Sequence, residues 1–391
     1  MMKAYQVYFF ILLFVDENNY SFGYENGLGL SPPLGWNSWN FFHCNLNEDL
    51  IRETAKAMVD LGLKDVGYEY INLDDCWQVS RDEQGYIEED REAFPSGMAA
   101  LSDYVHSLGL KFGLYSDAGT LTCQGRPGSL GFESQDAETY SRWKIDYLKY
   151  DNCHSTDKDV KLRYKAMRDA LNATGRPIFF SMCEWGRDQP ATWANPIANS
   201  WRTTGDIRRS WDSVMSILDS NDQWHSYAGP GGWNDPDMLE IGPGDNHTEL
   251  TLDEQRSHFT LWCLIKAPLL LGNDLRNISN ETLQIITNEE LIAINQDPLG
   301  EQGYRRSSDE LLQIWAGKLS HDEIAVVLLN RSPEPALISA TFQEINATDG
   351  LKYNVRDLWA HLDLGIETAK IEAWVESHGV FAGRLSPLTI S

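Results

Sequence analysis

The sequence predicts a (β/α)8 barrel followed by a small antiparallel β-sandwich. Between Leu34 and Asp274, short apolar or β-branched runs alternate with longer segments of helical spacing. Nearly every run ends in Asp, Glu or Trp, and a barrel brings the carboxyl ends of its strands together on one face. Beyond Gln296–Gly300 the chain changes to short runs separated by turn residues, which is typical of a sandwich.

Eight runs are the candidate strands of the barrel. They are Leu34–Trp39, Tyr68–Asp75, Lys111–Asp117, Tyr147–Asp151, Ile178–Glu184, Ser200–Asp206, Gly231–Met238 and Leu269–Asp274. Helical spacing between them is clearest in three segments, of which the first follows Asn47 as N-cap and all end at a glycine: Gly62, Gly109 and Gly175. An open doubly wound sheet is the alternative, but it usually has fewer strands and a glycine-rich nucleotide loop, which we do not find.

The C-terminal part contains six runs that predict the strands of the sandwich. They are Leu311–Ala316, Glu323–Leu329, Leu337–Phe342, Tyr353–Trp359, Ala373–Glu376 and Val380–Arg384. We therefore expect a barrel domain over residues 24–297 and a β domain over residues 298–391.

The N-terminus has the pattern of a signal peptide over residues 1–23. Lys3 precedes the mostly apolar run Ala4–Val15, which is shorter than the roughly 20 residues that span a bilayer. Six Asn-x-Ser/Thr sequons in the expected mature chain, after residue 23, support export. Their acceptors are Asn172, Asn246, Asn277, Asn280, Asn330 and Asn346. We expect an extracellular, vacuolar or lysosomal protein with disulfides and, after signal cleavage, no membrane partner.

The charge balance excludes some partners. Lys and Arg number 32 against 58 Asp and Glu, a formal net charge of −26 among 391 residues. So acidic a surface repels phosphate backbones, and we expect no nucleic-acid partner. Whether the chain forms a homo-oligomer stays open.

The carboxylates at strand ends indicate the chemistry. They are Asp74, Asp75, Asp117, Asp151, Glu184, Asp206, Asp235, Asp237 and Asp274. Metal-dependent hydrolases use such a ring with His ligands, and glycoside hydrolases use one carboxyl pair as nucleophile and acid/base. The nine histidines show no H-x-H or HExxH arrangement at a strand end. We therefore expect no metal and no cofactor, and keep a metal-dependent hydrolase as a distant alternative. Trp39, Trp77, Trp185 and Trp233 beside the carboxylates favour a sugar.

Six motifs carry a resemblance to a known family. They are Gly35-Trp-Asn-Ser-Trp-Asn40, Leu73-Asp-Asp-Cys-Trp77, Leu148-Lys-Tyr-Asp-Asn-Cys153, Met182-Cys-Glu-Trp-Gly186, Trp201-Arg-Thr-Thr-Gly-Asp206 and Gly232-Trp-Asn-Asp-Pro-Asp-Met-Leu239. In this order they resemble the melibiase-type α-galactosidases, retaining enzymes of glycoside hydrolase family 27, and most closely the plant-type branch. The resemblance covers the chain from about Tyr24 into the C-terminal β domain.

The resemblance implies the two catalytic residues. Asp151 matches the nucleophile and Asp206 the general acid/base, expected roughly 5–5.5 Å apart for a reaction that retains configuration. Lys149 and Arg202 would lie beside them, keep Asp151 ionised and donate to sugar hydroxyls. The charge of Asp151 would help Asp206 to keep its proton.

The resemblance also implies the substrate contacts. Asp74 and Asp75 match the carboxylates that accept hydrogen bonds from the 4- and 6-hydroxyls of galactose. Trp39 and Trp185 would wall the pocket, and Met238 would form its floor.

Three alternatives stay open at this point. An α-N-acetylgalactosaminidase is disfavoured because Glu184 and Trp185 are bulky where that activity needs small residues. A β-L-arabinopyranosidase is disfavoured by the intact Asp74-Asp75 pair. A non-catalytic carbohydrate-binding protein would normally lack one of the two acids, and both are present.

The six cysteines complete the resemblance. It implies the disulfides Cys44–Cys76 and Cys123–Cys153, which would tie together loops at strand ends and place Cys123 at the rim of the sugar pocket. It also places Cys183 in the pocket. Cys183 and Cys263 are expected to be free buried thiols.

Overall fold

A computed structural model describes residues 23–155, 159–243 and 250–388. In the first part of this described chain the strands are β1 (Leu34–Asn37), β2 (Tyr70–Asn72), β3 (Gln78–Arg81), β4 (Ile87–Glu89), β5 (Lys111–Asp117), β6 (Tyr147–Asp151), β7 (Phe179–Met182), β8 (Ser200–Arg202), β9 (Trp233–Asp235) and β10 (Leu269–Leu271). β3 and β4 form an antiparallel hairpin. The other eight form one parallel sheet, which contains the eight predicted strands.

The parallel sheet closes into a barrel. Its order is β10-β1-β2-β5-β6-β7-β8-β9. Leu239, shortly after β9, pairs in parallel with Leu271 of β10, and its amide donates to the carbonyl of Leu270 at 2.8 Å. The predicted barrel is therefore confirmed. β5 and β6 have the predicted bounds, whereas the other six strands end earlier and leave their polar residues in loops.

The described helices pack around this sheet. They are α1 (Trp39–Phe42), α2 (Glu48–Asp60), α3 (Met98–Ser107), α4 (Glu133–Arg142), α5 (Val160–Ala173), α6 (Trp211–Asp222), α7 (Leu252–Leu264), α8 (Asn280–Ile286) and α9 (Glu289–Asn295). The three predicted helices correspond to α2, α3 and α5. Asn47 caps α2, since its side chain accepts from the amide of Leu50 at 2.8 Å.

One connection differs from the predicted alternation. Between β7 and β8, residues 183–199 contain the 3-10 turn Pro190–Thr192 and no α-helix. Gly186, Pro190 and Pro196 lie in this short stretch, and both residue types oppose a continuous helix. The segment is therefore a loop at the mouth of the barrel.

The C-terminal domain is the predicted antiparallel sandwich. Its strands are β11 (Tyr304–Arg305), β12 (Leu312–Lys318), β13 (Ile324–Asn330), β14 (Ala336–Thr341), β15 (Tyr353–Asp357), β16 (Leu362–Glu367), β17 (Lys370–Val375) and β18 (Val380–Pro387). A sheet in the order β11-β12-β13-β18-β15-β16 faces the pair β14-β17 across an apolar core. The sequence did not indicate β11, which has two residues, or β16, whose side chains are all exposed.

Charged pairs join the sandwich to the helices of the barrel. Arg356 donates to both carboxylate oxygens of Glu290 in α9, at 3.0 and 2.8 Å, and His361 contacts the same carboxylate at 2.7 Å. Arg331 makes a similar two-pronged contact with Asp219 of α6, at 2.9 and 2.7 Å. Charged pairs therefore bridge the two domains beside a shared apolar cluster that includes Trp315 and Val327 of the sandwich.

The sequons separate by exposure. Asn330 is fully buried, and its side-chain amide donates to the carbonyls of Glu334 and Val375 at 2.8 and 2.9 Å. It cannot accept a glycan in this fold, which corrects that prediction. Asn172, Asn277, Asn280 and Asn346 are exposed, as glycosylation requires, and Asn246 lies outside the described residues.

The signal-peptide prediction, apart from Gly23, also lies outside the described residues. Among the residues that the structure describes, no helix is long and apolar enough to cross a membrane.

Candidate active site

A cavity of about 910 Å³ opens at the carboxyl ends of the barrel strands. Every residue predicted to act on the substrate lines it: Trp39, Asp74, Asp75, Cys123, Lys149, Asp151, Cys183, Trp185, Arg202, Asp206 and Met238. These residues come from seven of the eight strand ends and their loops. The barrel therefore brings together side chains that lie up to 199 residues apart in sequence (238 − 39).

Asp151, the predicted nucleophile, ends β6 at the bottom of this cavity. Its Oδ2 accepts a hydrogen bond from the Tyr115 hydroxyl at 3.0 Å and its Oδ1 accepts one from the Asn152 amide at 2.9 Å. Burial raises the pKa of Asp151 to about 6, although the charge of Lys149 and these hydrogen bonds oppose the shift. The carboxylate is thus fixed in orientation and ionised near neutral pH.

Asp206, the predicted acid/base, lies in the loop after β8 at the mouth of the cavity. Its side chain is 72% exposed, and Oδ1 contacts a terminal nitrogen of Arg202 at 3.0 Å. The same Arg202 nitrogen contacts Asp237 at 3.0 Å and donates to the carbonyl of Gly205 at 2.8 Å. Arg202 therefore lies beside Asp206, one of the two residues that it was expected to accompany.

Asp74 and Asp75, in the loop after β2, are held mainly by contacts with other segments of the barrel. Asp74 accepts from Lys149 at 2.7 Å and from the Asn37 amide at 2.9 Å. Asp75 accepts from the backbone amides of Gln124 and Cys76, at 2.9 and 2.7 Å. Burial raises the pKa of Asp75. Lys149 thus contacts Asp74 directly, and its charge also acts on Asp151.

The described disulfides are the ones that the resemblance implied. Cys44 is joined to Cys76 and Cys123 to Cys153, with Cα–Cα distances of 5.3 and 5.1 Å. The sulfur of Cys123 lies 3.4 Å from Oδ2 of Asp151. The second disulfide therefore touches Asp151, the predicted nucleophile, directly.

The remaining cysteines, Cys183 and Cys263, are free and buried, as expected. The sulfur of Cys183 lies 3.6 Å from Nη1 of Arg202, and burial raises the pKa of its thiol. Cys183 therefore forms a neutral, weakly polar patch of the pocket wall.

The loop after β7 carries the second aromatic wall. Trp185 has a φ of 58°, in the left-handed region, and the guanidinium of Arg187 lies 4.6 Å from its ring centre. This turn directs Trp185 to the cavity. Glu184 is fully buried, does not line the cavity, and accepts from the amide of Asp188 at 2.8 Å. Burial raises the pKa of Glu184 to about 7. The expectation that Glu184 fills space next to the sugar is therefore wrong.

Met238 forms part of the cavity floor, and the other predicted tryptophans occupy different positions. Met238 packs with Tyr70, Tyr147, Phe179 and Leu270 beneath the cavity, and Trp39 packs against this cluster. Trp77 and Trp233 are fully buried and do not line the cavity, so they are not sugar platforms.

Besides Glu184, three of the predicted carboxylates do not line this cavity. Asp274 caps a 3-10 turn and pairs with Arg276 at 2.8 Å. Asp235 lines a much smaller space under the floor, and Asp117 lies behind Asp151. The ring of carboxylates is therefore smaller than the strand ends suggest.

The structure adds several lining residues that the sequence did not indicate. They are Asn40, His43, Tyr115, Gln124, Cys153, Arg187, Gly205, Ile207, Arg208, Arg209 and Glu240. Tyr115 could have been found, because strand residues two apart share a face and Tyr115 precedes Asp117 by two. Arg209 pairs with Glu240 at 2.8 Å, a contact with no local sequence signal.

One group of potential metal donors lies here, and it does not fit a metal. One donor atom each of Asp117, Cys123, Asp151 and Cys153 lie within 4.8 Å of one another. The two sulfurs are bonded to each other, however, and a disulfide supplies no thiolate ligand.

The closed barrel and its pocket of paired carboxylates and tryptophans define a glycoside hydrolase class of site. Residues 31–297 match the family model described as "Alpha galactosidase A", and residues 309–385 match "Alpha galactosidase C-terminal beta sandwich domain". The chain therefore belongs to the alpha galactosidase A, or melibiase, family.

Named relatives extend this result over most of the chain. Alpha-galactosidase 2 of Arabidopsis thaliana is 54% identical over 356 residues, covering 90% of this chain and 89% of the relative. Alpha-galactosidase of Cyamopsis tetragonoloba is 54% identical over 365 residues, covering 93% and 88%. The crystal structure of alpha-galactosidase I from Mortierella vinacea superimposes with a TM-score of 0.89 at 41% identity, covering 92% of this chain and 98% of that one.

Proposed function

We propose that this chain is a retaining, exo-acting α-galactosidase that hydrolyses terminal α-D-galactosyl residues of oligosaccharides, polysaccharides or glycoconjugates. The observation that carries the proposal is the buried, oriented carboxylate of Asp151 at the bottom of a cavity whose mouth holds the exposed carboxyl of Asp206. The family relatives, which are named alpha-galactosidases, support the substrate.

The reaction proceeds through an ester on Asp151. The carboxylate of Asp151 attacks the anomeric carbon while protonated Asp206 delivers its proton to the leaving oxygen. Water then enters at the same carbon, Asp206 takes its proton, and the bond to Asp151 breaks. Two inversions leave the released galactose in the α configuration.

The contacts of the pocket support galactose as the sugar. Asp74 and Asp75 present carboxylate oxygens, and Lys149 a donor, where the 4- and 6-hydroxyls would bind. An axial 4-hydroxyl distinguishes galactose from glucose. Trp185 lines the cavity where an α-N-acetylgalactosaminidase needs room, so the argument against that activity rests on Trp185 alone.

We also propose the destination and the domain limits. The signal-like N-terminus and the exposed sequons Asn172, Asn277, Asn280 and Asn346 support passage through the secretory pathway to the outside or to a vacuole or lysosome. The matches to residues 31–297 and 309–385 support a barrel domain over 24–297 and a β domain over 298–391.

The test compares three p-nitrophenyl glycosides: the α-D-galactoside, the α-N-acetylgalactosaminide and the β-L-arabinopyranoside. We expect turnover of the α-galactoside alone, lost by at least about 10³-fold in Asp151→Ala and largely kept in Asp65→Ala, a control on the surface. NMR of the first product should show α-galactose. Preferred turnover of another glycoside would overturn the specificity, and no turnover from folded protein would favour the carbohydrate-binding alternative.

A further inference from the structure

The carboxyl of Asp117 lies directly behind the nucleophile. Asp117 and Asp151 are register partners in the parallel pair β5–β6. Both side chains point to the same side of the barrel wall, and a carboxylate oxygen of each lies within 4.8 Å of the other. Asp117 is fully buried, does not line the substrate cavity, and has no part in the proposed reaction.

The Asp117 side chain joins the two segments that carry the nucleophile. Its Oδ1 accepts from the amide of Gly119 at 2.6 Å, and its Oδ2 accepts from the amide of Cys153 at 2.9 Å. The amide of Ala118 in turn donates to the carbonyl of Asp151 at 2.9 Å. The Asp117 carboxyl therefore links the loop after β5 to Cys153, the second residue after Asp151.

The backbones of the loops after β5 and β6 touch at Gly119 and Cys153 and cannot move closer together. A Cβ added at Gly119 would lie 2.0 Å from the carbonyl oxygen of Cys153, so the two loops touch through their backbones. The disulfide Cys123–Cys153 closes the same unit, with the Cys123 sulfur 3.9 Å from Asp117 and 3.4 Å from Asp151. A shift at Asp117 would therefore be transmitted to Asp151.

The charges around Asp117 are mainly negative. It faces Asp151 from β6 and Asp75 from the loop after β2. The phenols of Tyr115, Tyr150 and Tyr164 lie nearby. The cations of this region make other contacts: Arg163 of α5 donates to the carbonyl of Ala118 at 3.3 Å, and Lys149 donates to Asp74. Two ionised carboxylates this close would repel strongly in a buried site.

We propose that Asp117 is a positioning residue for the nucleophile and that it holds the two loops as a neutral carboxylic acid, which leaves the single negative charge of the pair on Asp151. The inference rests on the proposed function for the role of Asp151. Its protonation state agrees with the electrostatics, since burial and the charge of Asp151 raise the pKa of Asp117 to about 8. A protonated Asp117 keeps both amide contacts, because each carboxyl oxygen still has a lone pair to accept with.

The first experiment measures the melting temperatures of the full-length chain and of Asp117→Asn between pH 4.5 and 8. A carboxyl whose folded pKa is raised costs stability as pH rises from the unfolded to the folded pKa, because unfolding releases its proton. Asparagine has no such proton, so the melting temperature of Asp117→Asn relative to wild type should rise by at least about 3 °C across this range.

The matched control is Asp274→Asn. Asp274 is also a buried aspartate after a barrel strand, but its contacts with Arg276 lower its pKa, so it is ionised throughout the range. The melting temperature of Asp274→Asn relative to wild type should not change with pH over this range. If the melting temperature of Asp117→Asn relative to wild type is also independent of pH, the assignment of Asp117 as a neutral acid is overturned.

The second experiment measures kcat and KM on an aryl α-galactoside. We expect Asp117→Ala to lose at least about 100-fold in kcat with KM within about 3-fold, and Asp117→Asn, which keeps a side-chain acceptor, to recover most of this loss. Equal activity of the two variants would overturn the positioning role. If wild type itself turns over no galactoside, the proposed function fails, whereas the melting comparison still tests the proton on Asp117.

A third measurement covers the case in which the variants do not fold. Wild-type protein labelled with ¹³C at its Asp carboxyls should show an isotope-sensitive infrared band of a protonated carboxylic acid at pH 7, which titrates away towards pH 9. Absence of that band at pH 7 would overturn the proposal without any substitution.

Discussion

The ammonium of Lys149 lies 2.7 Å from Oδ2 of Asp74, the proposed sugar-binding carboxylate, and its charge also acts on Asp151, the proposed nucleophile. One buried cation thus stabilises two negative charges with different tasks. Burial alone would lower the pKa of Lys149, but the charge of Asp74, with a smaller contribution from Asp151, raises it. Lys149 is therefore charged at neutral pH.

Replacing Lys149 with Met should shift the pH dependence of catalysis. The charge of Lys149 opposes the rise in the pKa of Asp151, so its removal should raise that pKa further above about 6. Asp151 must be ionised to attack, and the acid limb of the kcat/KM profile should therefore move to higher pH by roughly one unit or more. Lys111→Met is the control, because Lys111 pairs with Glu69 at the other end of the barrel. An unmoved acid limb would contradict the coupling.

Replacing Asp206 with Ala should lower kcat/KM most for substrates with poor leaving groups. The proton that Asp206 supplies is worth roughly 10²–10⁴ in rate when the leaving alcohol is a sugar, and little when it is a dinitrophenolate. Asp151→Ala should be inactive towards both substrates. Comparing kcat/KM for a galactosyl disaccharide and an activated aryl galactoside measures the difference, and an equal loss on both would remove Asp206 from the acid role.

Opening the two disulfides should have different effects on kcat and KM. They close loops of nearly equal length, with separations of 32 and 30 residues, so each contributes about 3–4 kcal/mol in the chain-entropy model. Opening Cys123–Cys153 by double Ala substitution should lower kcat, because the Cys123 sulfur contacts Asp151. Opening Cys44–Cys76 should mainly raise KM, because the Cys76 amide holds Asp75. Melting curves and kcat and KM of both double variants test this, and identical kinetic effects would count against it.

The contact between Glu290 and Arg356 should stabilise the domain interface in a pH-dependent way. The hydrogen bonds of Arg356 and His361 lower the pKa of Glu290 to about 2. A carboxyl with a depressed folded pKa contributes stability above its unfolded pKa and loses it as pH falls through the folded one. Glu290→Gln should therefore cost about 1–2 kcal/mol at pH 7 and progressively less between pH 4.5 and 2. Thermal unfolding of this variant and of Glu289→Gln, its exposed neighbour, measures the effect; a loss that is constant with pH would argue against it.

The sequence predicted the site well wherever residues stand at strand ends. Asp151 and the Asp74-Asp75 pair follow β6 and β2, and barrel geometry alone sends such residues to one mouth. The partners of these residues were less predictable. Lys149 and Asp74 are 75 residues apart, and whether the ammonium turns to Asp74 or to Asp151 depends on side-chain conformation and packing.

Two other predictions, on Glu184 and Asn330, were wrong because of the backbone conformation or burial at those positions. The left-handed φ of Trp185 turns the chain between neighbours, so that Trp185 enters the cavity and Glu184 is buried behind it. Asn330 carries a sequon that is indistinguishable in sequence from the exposed ones, but the end of β13 buries it. Neither outcome follows from local composition, because both depend on contacts with distant segments.

The seam of the barrel, where Leu239 pairs with Leu271, lies next to the floor of the pocket and far from Asp151. Met238 and Glu240, the immediate neighbours of Leu239, belong to the floor and rim of the pocket, whereas Asp151 lies on the far side of the barrel, between β5 and β7. Small displacements of β10 along this seam would reshape the sugar-facing floor and leave the nucleophile in place. Substitutions at the seam should therefore affect the binding of the sugar before they affect Asp151, whereas Asp206 is linked to the seam through Arg202 and Asp237.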